Sequence, residues 1–136
     1  MGLIFDNRLS WEAHVSMIRR RCMGILSGLS HIRHQLHNGV IISLVTALVL
    51  SQIRYCISVY GNGSRKNLDR IGKILNFGAR VIFGRRKYDH VSDLWDRLGW
   101  LRPQQLINLV TLNLANKIIS SGKPDALASV FSSTVR

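Results

Sequence analysis

From Val40 to Ile53 the chain carries no charge, and only Ser43, Thr46, Ser51 and Gln52 interrupt its apolar residues before Arg54. A bilayer span takes about 20 such residues, and this run has about 14. A buried core helix is therefore the better reading, and no membrane partner is expected. The expected helix covers about Val40 to Tyr60, is apolar on nearly every face, and should be the most buried element. Gly61-Asn62-Gly63 breaks it.

The flanking segments repeat the helical period. Trp11, Val15, Ile18, Cys22, Leu26 and Leu29 step by three and four, which makes one stripe of a first helix. Ser10 is a good N-cap for a helix opening at Trp11, Glu12 suits the first turn, and Asn38-Gly39 supplies a stop after about Leu36. Ser64 caps a helix from Arg65 to about Phe83, with Leu68, Ile71, Leu75, Ala79 and Ile82 turned inward and Gly84 as its stop. Ser92 caps a short helix through Leu98 that Gly99 ends. Pro103 fits the first turn of a last long helix to about Ser120, whose wide apolar face is made by Leu106, Val110 and Leu114 with Leu109, Leu112 and Ile118. A weaker segment follows from Asp125 to Phe131.

The fold class is thus all-α, a small bundle of about five helices. The opening Gly2-Leu3-Ile4-Phe5-Asp6 differs: it reads as a strand end that needs a sheet, and no other segment offers one. The expected divisions are a strand remnant over residues 1–9, a helical domain over 10–122, and a tail or the start of a further segment over 123–136.

Charge supplies the functional signal. Nineteen Lys and Arg stand against seven Asp and Glu, a net charge of +12. That balance points to a polyanion, usually nucleic acid. A hydrophobic fraction of 46% excludes a disordered basic tail. Residues 64–88 hold Arg65, Lys66, Arg70, Lys73, Arg80, Arg85, Arg86 and Lys87 with Asp69 as the one acid. Lys66, Arg70, Lys73 and Arg80 step by four, three and seven, so they share a solvent-facing side of the helix, and Arg85-Arg86-Lys87 extends it as a loop. Such a face matches a row of phosphates, and Tyr88 and Phe83 can add stacking. An ordinary solvated face would mix its signs. Arg19-Arg20-Arg21 is a second, smaller candidate, while Arg33, Lys117, Lys123 and Arg136 read as exposed cations outside both. The same basic runs fit a nuclear localisation signal, and Cys22 and Cys56, in apolar surroundings, read as reduced buried thiols of an intracellular protein.

Other constellations carry less. His31, His34 and His37 do not gather on one side of a helix, since the third lies about 120° round from the first. Asp89, Asp93 and Asp96 have helical spacing, but Asp93 suits the first turn after Ser92 through the helix dipole. No residue is assigned a catalytic or metal-binding role, and no cofactor is expected in this chain.

Five pieces in order carry a family resemblance. Leu3-Ile4-Phe5-Asp6-Asn7-Arg8-Leu9-Ser10-Trp11-Glu12-Ala13-His14-Val15 is similar to the segment that closes the palm and enters the thumb in reverse transcriptases of non-LTR (LINE-like) retrotransposons. Tyr55-Cys56 with Tyr60-Gly61-Asn62, Leu68-Asp69-Arg70-Ile71 with Asn76-Phe77-Gly78-Ala79-Arg80-Val81-Ile82, His90-Val91-Ser92-Asp93-Leu94, and Leu98-Gly99-Trp100-Leu101 resemble later stretches of the same region. The resemblance covers roughly residues 2 to 121. It implies a thumb-like fragment of an RNA-directed DNA polymerase that works beside a palm domain and holds an RNA–DNA hybrid or double-stranded nucleic acid through sequence-independent phosphate contacts. The family's metal-holding palm aspartates have no counterpart here, so Mg²⁺ would belong to the palm. A helical interaction module that docks on a partner protein, its basic charge incidental, is the alternative.

Two-metal phosphoryl transfer needs converging carboxylates. With primed RNA template, Mg²⁺ and nucleotides, the chain alone should give no extension above a buffer control. Extension that survives stringent purification overturns the fragment reading.

Overall fold

The computed structural model describes residues 2–4, 7–8, 10–55, 57–60, 64–123, 125–126 and 129. Among these there is no strand, and the fold is all-α. Helix α1 spans Glu12–Ile32. A 3₁₀ turn, Arg33–Gln35, follows it. Helix α2 is a continuous rod over residues 38–54, made of Asn38–Val45, a π-helical stretch Thr46–Leu50, and Ser51–Arg54. Short α3 is Ile57–Tyr60. Then come α4, Arg65–Phe83, α5, Ser92–Leu98, and α6, Pro103–Ser121.

Helix α4 is the hub, touching α1, α2, α5 and α6. Its boundaries follow from local chemistry. The Ser64 hydroxyl accepts the Asn67 N–H at 3.4 Å, which satisfies one of the donors left over at a helix start. Gly84 ends it in the left-handed region, φ 64, where glycine carries no Cβ penalty. Ile71, Ile74, Leu75, Ala79 and Ile82 are buried with Val15, Ile18, Cys22 and Leu26 of α1 in one core. Each large aliphatic side chain so withdrawn contributes about 1.5–3 kcal/mol. Gly78 is buried in that core, where a Cβ would meet the Trp100 ring at 3.4 Å and Val45 at 3.5 Å, in ordinary van der Waals contact.

Three hydrogen bonds fix how α1 and α4 lie. The Asn67 amide donates to the Ser10 carbonyl at 2.8 Å, Arg70 donates to the Ser16 hydroxyl at 3.2 Å, and Arg33 donates to the Val81 carbonyl at 2.8 Å. Their partners are 57, 54 and 48 residues apart, in the same order along both helices. The two helices therefore run side by side in the same direction.

Several expectations need correction. Helix α1 opens at Glu12, not Trp11; Trp11 is the N-cap, in the left-handed region at φ 61, while Ser10 Oγ reaches the Glu12 N–H at 3.5 Å. That conformation is unfavourable for a bulky residue, and the burial of the indole, 8% exposed, offsets it. Asn38-Gly39 opens α2 instead of stopping α1. Leu36 is extended at φ −110, and the His37 ring accepts the Gly39 N–H at 3.4 Å. The second helix does not run unbroken to Tyr60: Tyr55 leaves helical geometry at ψ 113. Nor is that helix buried all round. Ile41, Val45, Val49, Leu50 and Ile53 face the core, but Val40, Ile42 and Leu48 are exposed among the described residues. On α6, Leu106, Ile107 and Ile118 are buried, whereas Leu109, Leu112 and Leu114 are exposed among the described residues. Val91, not Ser92, is the N-cap of α5. Where a strand remnant was expected, Gly2, Leu3 and Ile4 are irregular, and among the described residues there is no strand to pair with them. Phe5, Asp6, Cys56, Gly61-Asn62-Gly63 and most of 125–131 lie outside the described residues.

Cys22 is buried, and that burial pushes its thiol up to about 11. His14, also buried, packs its ring against Tyr60 with centroids 4.8 Å apart, and its Nδ1 accepts the Ile4 N–H at 3.3 Å. The imidazole is thus neutral, and burial lowers its pKa because the charged form loses water. A group depressed in the fold is protonated first in the unfolded chain. Stability should therefore be full above about pH 6.5 and fall as pH drops below it, by at most about 1.4 kcal/mol per pH unit. Urea denaturation across that range checks this; the slope should vanish in His14→Gln, and an unchanged slope in that variant assigns it elsewhere.

Candidate nucleic-acid interface

The C-terminal ends of α1 and α4, with the loop after Gly84, enclose a cleft of about 620 Å³. Met23, Phe77 and Val81 give it an apolar floor, and Arg33, Lys73, Arg80, Arg85 and Lys87 bring five cations to it. Tyr88 stands at its edge with its side chain 87% exposed and the Lys87 ammonium 5.5 Å from its ring centre. A second, shallower concavity of about 1000 Å³ lies between α4, α5 and the start of α6, with Arg65 and Arg102 in its wall. Lys73 borders both.

Backbone carbonyls hold two of these cations in place. The last carbonyls of a helix have no partner within it. At the end of α4, Arg33 supplies one: Nε donates to Val81 O at 2.8 Å and Nη2 to Ile82 O at 3.1 Å. Gly84 makes room, since a Cβ there would stand 2.8 Å from the guanidinium carbon. Arg80 clamps the loop, donating through Nε and Nη2 to the Asp89 carbonyl at 3.3 and 3.2 Å. The loop closes on itself through the Asp89 carboxylate, which accepts the Arg86 N–H at 2.8 Å.

Location at two helix C-termini opposes an anion. Each terminus carries about half a negative charge, so the pair amounts to about −1. Five cations outweigh it several-fold, and among the described residues no carboxylate pairs with Lys73, Arg80, Arg85 or Lys87. The cleft therefore keeps a positive field.

Of the seven cations singled out in the sequence, Lys73, Arg80, Arg85 and Lys87 meet at this cleft. Lys66, Arg70 and Arg86 do not line it. Lys66 sits near the start of α4, 3.8 Å from Glu12, in a pair exposed enough to contribute little. Arg70 turns toward α1. Neither Arg70 nor Arg80 points to solvent as the helical spacing suggested; both are half-buried because α1 and the loop lie within hydrogen-bonding reach. Arg33, expected to be a free surface cation, is a half-buried helix cap. Arg19, Arg20 and Arg21 are exposed on α1, away from the cleft. Phe83 faces Arg97, 5.1 Å from its ring, and Phe77 takes the place expected of it in the cleft. Phe77 was legible, since steps of 100° put it between Lys73 and Arg70. Nothing local marked Arg33.

The residues that carry the family resemblance are mostly packing residues. Trp11 and His14 are core, the Trp95 indole donates to Asn76 Oδ1 at 2.9 Å, and Trp95 meets Trp100 edge-on at 6.4 Å. Among the described residues no group of three His, Cys, Asp or Glu could hold a metal, and no helix is long and apolar enough to cross a membrane. No family model, curated protein or solved structure matches the chain.

The division between half-buried, hydrogen-bonded cations and exposed ones is testable. Arg80→Ala should lower stability by about 1–2 kcal/mol through loss of a charged hydrogen-bond clamp. Lys66→Ala and Lys73→Ala should stay within about 0.5 kcal/mol of the parent. Urea midpoints decide it, and equal losses in all three would remove the distinction.

Proposed function

We propose that this chain is a thumb-like, non-catalytic module of a non-LTR retrotransposon reverse transcriptase, and that it holds a template–primer duplex by its phosphates. The observation that carries the reading is the excess of cations along α4 and the loop after it, where Asp69 and Asp89 are the only acids. Lys73 joins its two concavities, so the positive surface extends along the helix instead of ending at one point. Helix α4, with 19 residues, is about 28 Å long. One strand of B-form duplex rises about 3.4 Å per phosphate, so several phosphates can lie along such a band. Contacts of this kind position a duplex without reading its bases. The family resemblance and the all-α fold support the same assignment, and the cell compartment that follows is intracellular, with nuclear entry through the basic runs.

An exposed apolar side of α6 supports the partner half of the proposal. Leu109, Leu112 and Ile119, which share that side by the helical period, are 44%, 68% and 57% exposed. A palm domain would cover them in the thumb reading. The same surface is what the alternative, an interaction module, would use.

The full chain should bind RNA–DNA hybrid and double-stranded DNA with little sequence preference. With about four to five phosphates neutralised, log K should fall against log salt with a slope near −4. Changing Lys73, Arg85 and Lys87 together to Ala, all exposed, should flatten that slope by about two to three units. The control removes Arg54, Lys117 and Lys123, an equal charge elsewhere on the exposed surface. Equal effects from both sets, read by fluorescence anisotropy, would mean that net charge alone attracts the duplex.

A further inference from the structure

A duplex does not explain the floor of the cleft. Its bases are stacked inside and its phosphates lie on a convex surface, so it can touch the cationic rim but not Phe77 and Val81 at the bottom. An unpaired nucleotide can do both. Its base is flat and apolar on its faces, and its phosphate is an anion a few ångströms away. From this geometry we propose that the cleft between the ends of α1 and α4 holds an unpaired nucleotide at the end of a duplex, an overhang or flap. This rests on reading the basic band as a nucleic-acid surface and names what one end of that band receives.

The cleft has the necessary parts. A volume of about 620 Å³ lies within the range of sites that enclose a small organic ligand. Tyr88, 87% exposed, offers a ring face for stacking, and the Lys87 ammonium beside it already makes the ring part of a charged rim. The Arg33 and Arg80 guanidiniums are held by backbone carbonyls, so little freedom is lost when an anion arrives. Two of the five N–H groups of Arg33 serve those carbonyls, which leaves donors for a phosphate. The base would lie between Tyr88 and the floor, and its phosphate against Arg33, Arg85 and Lys87.

The test compares the full chain on three probes by fluorescence anisotropy: a blunt duplex, the same duplex with a short single-stranded overhang, and that overhang with abasic sites. Stacking of one base is worth about five-fold in affinity or more. The overhang should bind at least that much more tightly than the blunt end, and the abasic overhang, which keeps its phosphates, should lose the gain. Tyr88→Ala should abolish the gain and leave blunt-duplex affinity unchanged, while Tyr88→Phe should keep it; the exposure of Tyr88 makes both variants safe for folding. Equal affinity for blunt and overhang probes overturns the proposal, and so does an abasic overhang that binds as well as the intact one. If blunt duplex binds with the salt slope given above but the overhang adds nothing, only the cleft assignment fails. If no probe binds, the nucleic-acid reading fails with it.

Discussion

The seam between α1 and α4 sets the terms for everything else. One side of α4 is aliphatic and must be hidden, and α1 supplies the matching stripe. Once that side is turned inward, the cations of α4 have nowhere to go but the opposite side and the two edges of the seam. The edges are where burial and charge conflict. Arg70 and Arg80 resolve it by donating to a hydroxyl and a carbonyl, so each keeps its charge without facing a buried carboxylate. Arg33 does the same from the other helix. A guanidinium suits these positions because it stays charged and spreads several donors over a planar group.

What the sequence reveals of this arrangement is the part set by neighbours along the chain. The limits of α4 follow from Ser64 and Gly84, and the stripe of α1 from its three-and-four spacing, because caps and periodicity are local. Features that depend on what lies across space were hidden. Val40, Ile42 and Leu48 on α2, and Leu109, Leu112 and Leu114 on α6, look like core residues by composition. They are exposed because, among the described residues, nothing packs over them. Arg33 reads as an ordinary surface cation, since its carbonyl partners are 48 and 49 residues away. The site was half legible for the same reason: Lys73, Arg80, Arg85 and Lys87 are close in sequence, but the wall they face comes from α1.

The resemblance and the cleft speak to different things. Trp11, His14, Asn76, Gly78 and Trp100 hold helices at set distances, and a pattern built from such residues describes a scaffold. Scaffolds are shared among unrelated activities. Affinity for nucleic acid would therefore come from the cations and the shape they surround, and the scaffold residues would set how such a module fits a larger machine.

Parallel packing of α1 and α4 has a consequence for how the chain is made. Antiparallel neighbours can pair as soon as a short turn has emerged, but parallel helices need a long crossover, here the stretch from residue 33 to residue 64. During synthesis α1 is made before α4, with Trp11, Val15, Ile18, Cys22 and Leu26 on one side and only α2 to pack on them in the meantime. Helix α4 finishes about fifty residues later, which at about 5–20 residues per second is a delay of roughly 3–10 s. For that interval the part of the stripe that α4 will cover stays open next to Arg19, Arg20 and Arg21, the kind of segment that chaperones hold.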